Sequence, residues 1–207
     1  MNAIRVLVIE DHPVVRQGLV ALLSNAPDIE VVGSAADGLE GIQAFSSLRP
    51  DVTLMDLQMP RLGGVEAIQR MHSEWPEARV IVLTTFDGDE DIYRAIQAGA
   101  KAYLLKGMEV EELLTTIRTV HTGHARVPSS IAEKLAQRVS SQDLTAREVD
   151  VLERIVAGRA NKEIAIDLNI SEATVKSHVN SLLSKLGVDD RTHAAIVALQ
   201  RGIVHLP

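Results

Sequence analysis

Five polar residues stand at or just after the ends of short apolar runs in the first half of the chain. Glu10 and Asp11 follow IRVLVI, Asp56 follows VTLM, Thr84 closes RVIVLT and Lys106 follows AYLL. If those runs are parallel strands of one sheet, the five groups converge outside its carboxyl edge, where open α/β sheets bind ligands. Three carboxylates in one crevice repel one another, so some must protonate or a cation must join them. A hard divalent ion with oxygen ligands resolves this, and Mg²⁺ suits one or two carboxylates together with waters and a phosphoryl group. Lys106 adds a compact positive charge and Thr84 a hydroxyl donor. The chemistry such a set supports is a phosphoryl group carried on a nucleophilic aspartate. The metal neutralises its oxygens on one side and Lys106 on the other.

The elements that must position these residues are legible as alternating periods. Apolar runs predict strands over 4–9, 30–35, 52–55, 79–84 and 102–105. Helical spacing predicts helices over 14–23, 39–48, 64–72, 89–98 and 109–121, with Gly or Pro at most junctions. Five βα units imply a doubly wound, flavodoxin-like α/β fold: a five-stranded parallel sheet covered by helices on both faces. Strands this uniformly apolar are expected when both faces are buried. We expect this domain over 1–121. Residues 122–142 show no clear period and are expected to be a linker with one short helix over 131–139.

From Leu144 onward the pattern is all-helical. Thr145 and Glu148 form a capping box for a helix that stops near Gly158. Asn161 is expected to cap a second helix to about residue 168, and Ser171 a third that Gly187 terminates. A fourth is expected over about 192–201. The short segment joining the second and third suits a helix-turn-helix within an all-α domain of four helices over 143–207. Val175, Val179, Leu182, Leu183 and Leu186 make one apolar stripe on the third helix. Its opposite face carries Lys176, Ser177, Asn180 and Ser184, groups able to reach base edges and phosphates in a major groove.

Composition narrows the classes. The chain has 207 residues and no Cys, which excludes disulfides, iron–sulfur clusters and Cys-ligated zinc. Its apolar runs are too short to span a membrane, and Glu10 and Asp11 interrupt the first, so a soluble cytoplasmic protein is expected. All five aromatic residues precede position 104, which leaves the second half without a base-stacking platform for single strands. Residues 1–122 carry 10 Lys+Arg against 18 Asp+Glu, and residues 123–207 carry 11 against 10. The asymmetry supports two domains.

The first-half pattern resembles the receiver domain of two-component response regulators, over residues 1–121. The resemblance implies that Glu10, Asp11 and Asp56 hold Mg²⁺ with the backbone carbonyl of Gln58. It implies that Asp56 accepts the phosphoryl group and that Thr84 and Lys106 contact it. Tyr103 corresponds to a switch aromatic that turns inward when Thr84 moves toward the phosphate. Where many receivers carry Pro after the lysine, this chain has Gly107, which frees the loop.

The string LTAREVDVLERIVAGRANKEIAIDLNISEATVKSHVNSLLSKLGVDDRTHA closely resembles the LuxR-type helix-turn-helix over 144–204. That implies base contacts from Lys176, Ser177 and Asn180 and phosphate contacts from Lys162, Thr174 and Lys185. It also implies a structural ion pair between Glu148 and Arg191, and a dimer contact from the last helix. The two matches together resemble the NarL/FixJ class. Its members are phosphorylated by a sensor histidine kinase, form a homodimer and bind double-stranded DNA to regulate transcription. They are not enzymes beyond slow autodephosphorylation.

Two rival readings remain at this stage. A phosphotransfer adaptor would use its helical domain on protein rather than DNA. An aspartate-nucleophile phosphohydrolase would want a second acid two residues after Asp56, where Gln58 stands. No phosphate-cradling glycine loop occurs. His121 and His124 share a helical spacing that reads as a solvated helix end.

Overall fold

The structure is a computed structural model that describes residues 3–140 and 142–205, the side chains of 137 and 140 excepted. The chain forms two compact units, one drawn mainly from residues up to 132 and the other mainly from residues 133 onward.

The first unit alternates strand and helix. Its strands are β1 (Ile4–Ile9), β2 (Ile29–Ala35), β3 (Val52–Met55), β4 (Val80–Thr84) and β5 (Ala102–Leu105). Its helices are α1 (Pro13–Ser24), α2 (Gly38–Leu48), α3 (Gly64–Glu74), α4 (Asp89–Gln97) and α5 (Val110–His121). The five strands form one sheet in the order β2-β1-β3-β4-β5, and every pairing is parallel. The expected doubly wound α/β architecture is therefore the one observed. Side-chain alternation along each strand explains the two covered faces. Val6, Val8, Leu54, Ile81, Leu83 and Leu104 share one core with Leu113, Ile117 and Val120 of α5. Their neighbours Leu7, Ile9, Met55, Val82 and Tyr103 are also fully buried, facing the other way. Asp37 starts α2 by accepting from the backbone N–H of Leu39 and Glu40, and its other oxygen pairs with Arg61.

Within the stretch expected as linker, Arg126 is tied to the sheet. Arg126 bridges to Ala102 on the exposed edge of β5, its N–H donating to the Lys101 carbonyl at 2.9 Å. The short helix expected after it is α6 (Ser129–Ser140), longer at both ends than its apolar periodicity suggested.

The second unit contains α7 (Ala146–Val156), α8 (Asn161–Asp167), α9 (Glu172–Leu186) and α10 (Arg191–Gln200). The capping box at Thr145 and Glu148 is present, Ser171 caps α9, and Gly187 ends it in the left-handed region. Two helix starts differ from expectation. Asn161 is the first residue of α8 rather than its cap, because the Glu163 side chain reaches back to the Ala160 N–H instead. Helix α10 begins one residue early, capped by Asp190. The stripe on α9 faces a core of Val151, Leu152, Ile155, Ile164, Ala194 and Ala198, with Val175 and Leu182 fully buried in it.

Candidate functional site

Strand register builds the first site. Ile9 pairs with Met55, so the residues that follow, Glu10 and Asp56, leave the sheet side by side. The ladder continues one step beyond the strands: the Asp56 N–H donates to the Ile9 carbonyl at 2.9 Å, and the Lys106 N–H to the Thr84 carbonyl at 2.8 Å. The reversal of strand order at β1 and β3 opens the crevice at this point.

Within it Lys106 Nζ lies 2.7 Å from Asp56 Oδ2 and 2.8 Å from Glu10 Oε2. Glu10 is 1% exposed and Asp56 4%. The other Asp56 oxygen accepts from the Leu57 N–H at 2.7 Å. Burial alone would lower the Lys106 ammonium, but its hydrogen bonds to Asp56 and then Glu10 outweigh burial and raise its pKa. The three carboxylates exceed this one ammonium by two negative charges.

Glu10, Asp11 and Asp56 each offer a carboxylate oxygen, and His12 a ring nitrogen, all within 4.8 Å of one another. Three oxygen donors with an excess of negative charge fit a hard divalent cation. Gln58 lies half-buried in the loop after β3.

Thr84 is fully buried, and its hydroxyl accepts weakly from the Phe86 N–H at 3.4 Å. Tyr103 is also fully buried, with its hydroxyl donating to the Phe86 carbonyl at 2.7 Å. The aromatic ring is therefore already in the inward position. Gly107 has open space around it.

Three participants escaped the sequence reading. His12 Nδ1 sits 2.7 Å from Asp11 Oδ1 and 3.3 Å from Glu10 Oε1. Arg16, one turn along α1, donates to the Glu10 carbonyl at 2.6 Å and the Asp11 carbonyl at 3.2 Å, fixing the backbone that carries the acids. Their adjacency to the acidic pair was the available signal. Gly64 is a third: a Cβ there would lie 2.1 Å from the Asp56 carbonyl oxygen, so only glycine lets α3 start against this loop.

The second site is the outer face of α9. Thr174, Lys176, Ser177 and Asn180 are exposed together on it, and Lys162 is exposed on α8. Lys176 Nζ lies 3.4 Å from Glu172 Oε1. A turn through Asn169, at φ +53, separates α8 from α9, and Arg147 donates to the Leu168 carbonyl to close the end of α8.

The expected ion pair between Glu148 and Arg191 is not formed. Lys185 and Ser181 lie one turn apart on α9 and meet Glu148 at 2.7 and 2.6 Å. Arg191 instead donates to the Arg159 carbonyl and to Asn161 Oδ1. Lys185, expected at the phosphate backbone, is thus held on a buried carboxylate. Burial would raise the Glu148 pKa, but hydrogen bonds from Lys185, Ser181 and Thr145 overcome it and lower it to about 2.

Comparison with known proteins covers both units. Residues 6–118 match the response regulator receiver domain, and residues 142–198 match the luxR family of bacterial regulatory proteins. The transcriptional regulatory protein LiaR of Bacillus subtilis is 42% identical over 210 residues, covering 98% of this chain and 100% of its own. The response regulator protein VraR of Staphylococcus aureus is 38% identical, covering 97% and 99%. Among solved structures, the response regulator ChrA of a heme-sensing two-component system is 38% identical, with a TM-score of 0.60 over 99% of this chain and 100% of that one. An RcsB–DNA complex is 25% identical, with a TM-score of 0.70 over 96% and 99%. Both halves of the chain and nearly all of its length are thereby matched, and the protein belongs to the response regulators that join a receiver domain to a LuxR-type helix-turn-helix domain.

Proposed function

We propose that this protein is a phosphorylation-gated transcription regulator, with Asp56 as phosphoacceptor and the outer face of α9 as reader of double-stranded DNA. The observation that carries the reading is Lys106 held between two buried carboxylates at the carboxyl edge of the sheet. In this reading residues 1–121 are the receiver, 122–142 the linker and 143–207 the DNA-binding domain, acting in the cytoplasm.

The donor is a phosphohistidine of a sensor histidine kinase. A carboxylate oxygen of Asp56 attacks phosphorus, the phosphorus–nitrogen bond breaks, and its electron pair returns to the imidazole. The product is an acyl phosphate on Asp56. Glu10, Asp11, Asp56 and the Gln58 carbonyl hold Mg²⁺, which when bound neutralises charge on the phosphoryl oxygens. Lys106 stays on the crevice and contacts the new phosphate. Thr84 donates its hydroxyl to it, leaving the Phe86 N–H, while the Tyr103 ring, already buried inward, stays behind it. Slow autodephosphorylation resets the site; no turnover of free phosphomonoesters is expected.

Two phosphorylated copies pair, and each sets α9 in a major groove. Lys176, Ser177 and Asn180 read base edges while Lys162 and Thr174 meet phosphates. Lys185 acts indirectly, fixing α9 on Glu148. Support for the DNA reading comes from the RcsB–DNA complex and from the exposure of these residues on one helix face.

Incubation with a small acyl phosphate and Mg²⁺, read by intact mass, tests the first step. One phosphoryl group should add to the wild type and none to Asp56→Asn. Equal labelling of the variant would overturn the assignment.

A further inference from the structure

Residues 57–63 join the phosphoacceptor to α3 and, on the reading above, carry the Gln58 carbonyl. Backbone contacts anchor both ends of this loop. The Gly64 N–H donates to the Leu57 carbonyl at 2.8 Å, and the Gly38 N–H, at the start of α2, donates to the Leu62 carbonyl at 3.2 Å. Leu57 and Leu62 are themselves buried. Between the anchors the chain passes through Arg61, whose φ of +65 lies in the left-handed region. Glycine adopts that conformation freely, whereas for arginine it is strained and persists only where the surroundings hold it.

What holds it is an ionic latch. Arg61 Nη2 pairs with Asp37 Oδ2 and, at 2.6 Å, with Glu40 Oε1. Asp37 is 1% exposed, and its other oxygen accepts the Leu39 and Glu40 N–H groups as the cap of α2. A buried carboxylate left without a cation is costly, so Asp37 holds the guanidinium at one place, unlike a wholly exposed pair that is free to drift. A planar guanidinium engages such partners with a defined geometry that a lysine ammonium on its flexible stem lacks. The latch thus fixes the middle of a loop whose ends are already fixed. We infer that Arg61 is a positioning residue for phosphoryl transfer: by pairing with buried Asp37 it holds loop 57–63 in the backbone conformation that serves Mg²⁺ beside Asp56. This rests on the metal-holding reading above and adds to it a residue outside the acidic crevice.

The test uses the full-length protein and three readouts. These are Mg²⁺ affinity by calorimetry without a phosphoryl donor, the Mg²⁺ dependence of Asp56 labelling by a small acyl phosphate, and the thermal midpoint without Mg²⁺. Arg61→Ala should weaken Mg²⁺ binding and raise the Mg²⁺ needed for half-maximal labelling, each by about tenfold, the scale on which outer-shell partners change metal affinity. Asp37→Asn keeps a capping side chain but removes the charge, so it should match Arg61→Ala, and the double variant should lose no more than either alone. Arg61→Gly relieves the left-handed strain yet still lacks the latch, and should bind Mg²⁺ as weakly as Arg61→Ala. Arg61→Lys keeps the cation in a folded protein and should recover part of the affinity. A lowered midpoint in Arg61→Ala with unchanged Mg²⁺ affinity would assign the latch a purely structural role and overturn the inference. So would wild-type affinity in Arg61→Gly, or additive losses in the double variant. A wild type that neither binds Mg²⁺ nor needs it for labelling would overturn the metal-holding reading itself, a failure distinct from these.

Discussion

At the residue scale the receiver site is an arrangement of charge that only partly closes on itself. Lys106 offsets one of three carboxylates, and two of those are almost fully buried. Removing it leaves Glu10 and Asp56 facing each other without a cation, a change that costs about 3–5 kcal/mol when a buried pair is broken. Lys106→Met should therefore lower the melting temperature of the first unit. Mg²⁺ should raise that temperature more in the variant than in the wild type, because a ligand bound only to the folded state stabilises it. A differential-scanning series in Mg²⁺ checks both. An equal response of the two proteins would contradict the charge argument. Gly64 matters for a steric reason. Gly64→Ala drives a Cβ into the Asp56 carbonyl and the Leu57 backbone, which should cost about 1–3 kcal/mol and slow phosphorylation of Asp56. Urea unfolding followed by Trp75 fluorescence measures the first, and mass-resolved labelling the second.

At the scale of elements, Glu148 does two tasks with one carboxylate. It completes the capping box of α7 and holds α9 through Lys185 and Ser181. Its folded pKa of about 2 lies below the ordinary 4.5. Its stabilisation is therefore complete above pH about 4.5 and is lost as pH falls toward 2, amounting to about 3 kcal/mol. Helix content of wild type and Glu148→Gln, followed by circular dichroism during urea unfolding from pH 6 to 2, should converge in that window. A constant difference across it would contradict the assignment.

The reader face answers to separate substitutions. Asn180→Ala should relax base preference at one position by about 1–3 kcal/mol. Lys162→Ala should weaken all sequences alike and reduce the salt slope by about one. Binding titrations against a panel of sites at several salt concentrations separate the two.

Much of this was legible in the sequence for a physical reason. A buried parallel strand must be apolar throughout, so IRVLVI and RVIVLT announce themselves, and the polar residue that ends each run marks the ligand edge. Helix starts were legible where the capping residue also carries the capping side chain, as at Thr145 and Ser171. They were missed at Ala160, where Glu163 supplies the cap from inside the helix. Long-range pairing was least legible. Glu148 was expected to pair with Arg191 and Lys185 to meet phosphate, and only the folded core shows that a helix face and not a helix start lies opposite Glu148.

At the scale of the whole molecule, charge sets the terms of DNA binding. Residues 143–207 carry 8 Lys+Arg against 9 Asp+Glu, a net of −1. One such domain neutralises few phosphates and should bind weakly. Two held side by side gain affinity through effective concentration without any new contact. Gating follows if phosphorylation controls that pairing. To move the protein from one part in a hundred active to ninety-nine, it must supply about 5.5 kcal/mol of differential stability.

The most direct test is selection of genomic fragments by the purified full-length protein, with and without beryllofluoride and Mg²⁺ as a mimic of the phosphorylated aspartate. The account predicts enrichment of paired half-sites with the mimic and not without it, and no enrichment by Asp56→Asn under either condition. Equal enrichment in both states would keep DNA binding and remove the gate; no enrichment in either would contradict the assignment of α9 as a reader of DNA.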